Sequence, residues 1–137
     1  MGITFRDKEG KGLIIKCTRG NKRYSMLVVL TGDILATLEE GDIVKLWYTL
    51  NSMDKEEGQL LILAGGKLSV HLHEGYLTAR YRFTFYSHTA PLQQGKKADE
   101  LARYDIDSYQ VALLQVYLNK VVNTMIDDVT KINLEVN

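Results

Sequence analysis

Gly12-Leu13-Ile14-Ile15-Lys16-Cys17-Thr18-Arg19-Gly20-Asn21-Lys22-Arg23-Tyr24-Ser25-Met26-Leu27-Val28-Val29-Leu30 holds two apolar runs on either side of a short polar break. Short apolar blocks separated by turn residues are the signature of strands, and Gly20 and Asn21 tolerate the positive φ that a tight hairpin turn requires. Residues 12–18 and 22–30 therefore read as a β-hairpin, and the fold follows from continuing this pattern outward. Upstream, Ile3-Thr4-Phe5 adds a short strand. Downstream, Asp33 is placed to cap a short helical turn over residues 34–38 that Gly41 ends. A third strand is expected over residues 42–50, and residues 51–58 form a polar loop. Strands over residues 59–64 and 67–73 flank Gly65-Gly66, a two-residue hairpin signal, and Glu74-Gly75 leads into a last strand over residues 76–87.

The pattern changes at His88. Residues 88–97 hold the single proline and no periodicity, so they read as a loop. Residues 98–103 suit a short helix. Ser108, with Asp105 and Asp107 beside it, caps a long helix from Tyr109 to about Asp127. Ile132, Leu134 and Val136 alternate, so the last residues read as an edge strand or a frayed tail. The expected architecture is one α+β domain, mainly β, over residues 1–137: a meander of about six antiparallel strands (1–87), curved or closed into a small barrel, then the loop (88–97), a helical region (98–128) and a tail or edge strand (129–137).

The chain of 137 residues has 17 basic and 17 acidic side chains, 45% hydrophobic residues and one cysteine, which is the balance of a single globular domain. A lone Cys17 excludes a disulfide within the chain and a multi-cysteine zinc site. No apolar run has the length of a membrane span, and Met1–Arg6 lacks the apolar stretch of a signal peptide, so the expected location is cytoplasmic, away from membranes. The charge is unevenly distributed. Residues 1–24 carry seven bases against two acids, and residues 33–58 carry seven acids against two bases. Such a dipolar chain suits an anionic partner on one side, or two parts that attract each other.

Alternation along the strands sorts inward from outward residues. In the last strand Leu77, Ala79, Tyr81, Phe83 and Phe85 share the core face, leaving Tyr76, Arg80, Arg82 and Tyr86 outside. The same reading turns Lys45 and Trp47 outward in the third strand, and Lys67, His71 and His73 outward in the strand after Gly65-Gly66. A sheet face holding these residues would suit single-stranded nucleic acid, because bases stack on flat rings while cations follow the phosphates. Lys16, Arg19, Lys22 and Arg23 would extend the phosphate track. The same rings and arginines also suit plain cross-strand packing or a protein interface.

Other constellations carry less chemistry. His71 and His73 project to one side of a strand and could share a metal with Glu74 or His88, but nothing fixes a third ligand. Gly65-Gly66-Lys67 lacks the remaining residues of a phosphate loop. Cys17 sits in an apolar strand as a small hydrophobe, and the paired carboxylates lie on polar segments. No catalytic residues, metal or cofactor are expected. On the terminal helix Val111, Leu114, Leu118, Val121 and Met125 form one apolar stripe, and Tyr109, Leu113, Val116 and Tyr117 form a second. With a single sheet to lie on, the first stripe is expected to seat a second copy in a homo-oligomer.

The order of strands, loop and long terminal helix resembles the architecture of the Whirly-type single-strand binders. Leu38-Glu39-Glu40-Gly41-Asp42-Ile43-Val44, read as strand, turn and strand, resembles small barrels of the oligonucleotide-binding kind. The expectation is a non-catalytic accessory protein that binds single-stranded DNA or RNA through an aromatic and basic sheet face. The alternative is an oligomeric structural or protein-interaction module without nucleic acid.

Overall fold

Two residues, Thr31 and Gly32, with φ of 50° and 89°, turn the chain back on itself where the sequence reading placed the start of a helical turn. Positive φ at both central positions is the geometry of a tight hairpin whose twist matches its strands. The computed structural model describes residues 2–21, 23–52, 60–74, 79–87 and 99–135. Strands β1 (Gly2–Arg6), β2 (Gly12–Gly20), β3 (Arg23–Leu30) and β4 (Asp33–Leu38) form one antiparallel sheet in that order, followed by helix α1 (Glu40–Asn51). Strands β5 (Leu60–Leu63), β6 (Leu68–Glu74), β7 (Ala79–Tyr86) and β8 (Glu100–Asp107) form a second, followed by helix α2 (Ser108–Glu135). The chain is α+β and mainly strands. Both sheets are open, and neither closes into a barrel.

Each half is thus four antiparallel strands and a helix, and the buried positions repeat with it. Ala36, Leu38, Ile43, Leu46 and Leu50 in the first half match Tyr104, Ile106, Val111, Leu114 and Leu118 in the second, at identical spacing and all buried. Each half also carries a register shift between its last two strands, at Val28/Val29 in β3–β4 and at Phe85/Tyr86 in β7–β8, although not at equivalent positions. One apolar core joins the two halves.

Four elements differ from the sequence reading. Residues 34–38 are strand β4, because the Thr31-Gly32 turn pairs them with β3. Residues 42–50 are helix: Val44, Leu46, Tyr48 and Leu50 alternate, but Ile43, Leu46 and Leu50 also fall on one helical stripe and are the residues buried. Glu40 and Asp42 lie in the first turn of α1, where their charge complements the helix dipole. Residues 100–103 belong to β8, whose alternation puts Tyr104 and Ile106 inside. Helix α2 runs on to Glu135, so the terminal segment is not an edge strand. Gly65-Gly66 does mark a hairpin, with Leu63 paired to Leu68, but its turn spans Ala64–Lys67. The whole of the expected loop at 88–97 and the turn after Glu74 lie outside the described residues.

Both outer strands of the second sheet are met by a lysine from the other half. Lys45 Nζ of α1 donates to the Ile62 carbonyl of β5 at 3.4 Å, and Lys11 Nζ donates to the Arg103 carbonyl of β8 at 3.2 Å. Among the described residues no helix is long and apolar enough to cross a membrane.

Candidate nucleic-acid interface

With two sheets present, the residues expected to share one face separate into three places. The first is the outward face of β1–β4. Phe5, Leu13, Ile15, Met26 and Val28 point into the core, so alternation turns Arg6, Lys16 and Arg23 outward, and all three are exposed. Lys16 lies in a cross-strand row with Leu27 and Thr37. The outward rows of this sheet hold no acidic residue and no aromatic ring.

The second place is the outward face of β5–β8. Here the face assignment of the last strand holds for its described side chains: Tyr81, Phe83 and Phe85 are buried, and Arg82, opposite His71, and Tyr86, near Ser69, lie outside. The cations, however, meet acids that arrive with β8, the strand the sequence reading lacked. Arg82 donates to Asp105 through Nε at 3.0 Å and Nη2 at 3.3 Å, and this bond holds its guanidinium charged more firmly than usual. Arg103 pairs with Glu100 through Nε alone, at 2.5 Å. Ser69 and Thr84 form a buried hydroxyl floor between these side chains, and the Tyr86 hydroxyl stands 3.4 Å from Ser69 Oγ. The positions of His73 and Arg80 on β6 and β7 are defined, with register His73↔Arg80↔Asp107, but their side chains lie outside the described residues, as do Tyr76 and Lys22 entirely.

The third place is the helix pair. Trp47 is on α1, half-buried against the core, and its Nε1 donates to Asn119 Oδ1 of α2 at 2.6 Å. Neither Trp47 nor Lys45 stands on a sheet face, because their segment is helical. Lys67 lies at the turn between β5 and β6. Arg19 falls on the inner side of β2, opposite Lys16, where it stacks over Tyr24 at 5.5 Å and pairs with Asp128 of α2 at 3.4 Å. The Tyr24 hydroxyl donates to the same carboxylate, which pushes the phenol above its ordinary pKa. Nearby, the Cys17 amide donates to Tyr117 Oη at 2.9 Å, and burial raises the Cys17 thiol.

The stripe expected to seat a second copy is core instead. Val111, Leu114, Leu118, Val121 and Met125 are all buried, because the chain supplies two sheets where one was counted. Of the second stripe, Tyr109, Leu113 and Val116 are exposed, as is Ile126 farther along α2, while Tyr117 turns inward. Among the described residues no group of three potential metal ligands comes together.

One open cleft was invisible in the sequence. It has a volume of about 470 Å³ and lies between β4 and the Ala64–Lys67 turn, lined by Ile34–Thr37, Glu39, Asp42, Ala64, Gly65 and Lys67. Asp42 Oδ2 accepts the Ala64 amide at 3.3 Å and ties the turn to α1. No protein-family model, curated protein or solved structure matches this chain.

Proposed function

We propose that this protein is a non-catalytic binder of single-stranded nucleic acid, with the phosphates running across the outward face of β1–β4. The observation that carries the reading is the charge of that face. Arg6, Lys16 and Arg23 project from it, none of them forms an ion pair among the described residues, and no carboxylate stands in their rows. Unpaired cations on an extended surface release counterions when they meet phosphates, which is the main source of affinity for a strand. Tyr86 and His71 stand on the separate face of the second sheet, where Arg82 and Arg103 are already paired with acids, so that face adds little to the phosphate track. The test is a fluorescence anisotropy titration of a labelled single strand at two salt concentrations. Binding that weakens steeply with salt, and more weakly in a Lys16→Glu, Arg23→Glu variant, supports the reading. A wild type that binds no strand at low salt removes it.

A protein-interaction module is the second reading, favoured by the exposed apolar side chains of the helix layer. Tyr48 is 69% exposed and Tyr109 72%, beside Leu113 and Val116. Tyr109, Leu113 and Val116 recur three and four residues apart on one side of α2, and an exposed apolar stripe of this kind marks interaction sites. Under that reading any association persists at high salt.

A further inference from the structure

The two halves differ at one inward position in a way that leaves a space. In the second half Tyr104 of β8 is buried beside the opposite turn, whose Lys11 bonds to the neighbouring Arg103 carbonyl. Its counterpart in the first half is Ala36. The opposing turn is also shorter there by one residue, since the last pair Arg6–Gly12 encloses five residues, 7–11, whereas Leu63–Leu68 encloses the four of Ala64–Lys67. A ring and part of a turn are thus missing from the first half, and the open cleft of about 470 Å³ stands in their place.

We infer that this cleft is a socket for one planar ring, a nucleobase of the bound strand, seated beside Ala36 where the other half seats its own Tyr104. The inference rests on the proposed strand-binding reading and adds a subsite to it. Three features favour a base over other rings. Thr37, at the lip, shares its cross-strand row with Lys16, two strands away or about 10 Å, so a phosphate on Lys16 and a base in the cleft belong to one short stretch of strand. Glu39 begins α1 without a side-chain capping bond, so its carboxylate is available to accept from the amino and imino groups of a base. Lys67 at the opposite rim supplies a donor for ring carbonyls.

The test has two arms on the intact protein. In the first, each deoxynucleoside monophosphate, and separately N-acetyl-tyrosinamide, is titrated while the amide NMR signals of Ala36, Thr37, Gly65 and Lys67 are followed. Saturable shifts with nucleotides are expected. Shifts with the tyrosine amide alone would overturn the base and assign the socket to a protein partner's ring. In the second arm, Ala36→Tyr rebuilds in the first half the residue its counterpart already accommodates. Strand affinity should fall about tenfold or more, the loss of one stacked base, with the fold retained by circular dichroism. A strand that binds with salt dependence while the cleft amides stay unmoved overturns the socket and leaves the strand-binding reading intact. Failure to bind any strand at low salt overturns both.

Discussion

The Trp47 indole of α1 donates to Asn119 of α2, and Gln115, which holds the position of Trp47 in the second half, donates to the Leu50 carbonyl of α1. The helix pair is therefore locked by two reciprocal polar contacts, one from each half. Trp47→Ala removes a half-buried ring and leaves Asn119 without its donor. It should cost about 2 to 3 kcal/mol, below the roughly 3 to 5 kcal/mol of a fully buried aromatic. Trp47→Phe should recover most of the loss. Denaturant titration reads both, and strand affinity of the folded variants should be unchanged.

The two stripes of α2 give a direct contrast. Leu118 is fully buried and Val116 is 55% exposed. Leu118→Asp places an unpaired carboxylate in the core and should cost several kcal/mol, enough to unfold the domain. Val116→Asp should shift stability by about 0.5 kcal/mol or less. Thermal melts of the two variants decide whether the register of α2 is as described.

Arginine identity separates the two sheet faces. Arg82 is engaged by Asp105, so Arg82→Ala should leave the salt dependence of strand binding nearly unaltered and cost about 0 to 1 kcal/mol of stability. Lys16→Ala, on the unpaired face, should lower the salt slope by about one contact. Equal slopes for the two variants would contradict the assignment of the phosphates to β1–β4.

Alkaline pH should weaken the fold. Hydrogen bonding to Asp128 raises the Tyr24 phenol above 10.0, and burial raises those of Tyr81, Tyr104 and Tyr117. Burial likewise raises the Cys17 thiol above 9.0. The unfolded chain releases these protons first, so the stability tied to them is complete below about pH 9 and declines as pH rises through 10 and beyond. Melting temperatures between pH 7 and 11 should show this decline, and Tyr117→Phe should flatten part of it.

Strands β1 to β3 and the inward set of β7 were legible because apolar alternation and the break at residue 20 admit one local solution, whereas β4 was hidden by the Thr31-Gly32 turn. Helix α1 was not, since Leu46 and Leu50 satisfy both a two-residue and a helical period, and only packing against α2 and β3 decides between them. That ambiguity carried Trp47 onto a sheet face it does not occupy. Reading residues 100–103 as helix also hid Asp105, which neutralises Arg82, as part of a strand. The cleft beside Ala36 could not be read from sequence at all, because it forms only where β4 meets the Ala64–Lys67 turn, which belongs to the other half of the chain.

The ammonium groups of Lys11 and Lys45 sit against backbone carbonyls of the outermost strands of the second sheet. A strand from a neighbouring molecule would have to displace a charged group before it could add to either border. Fibril growth by edge addition is thereby opposed at both ends of this sheet, by side chains contributed from the half that does not build it.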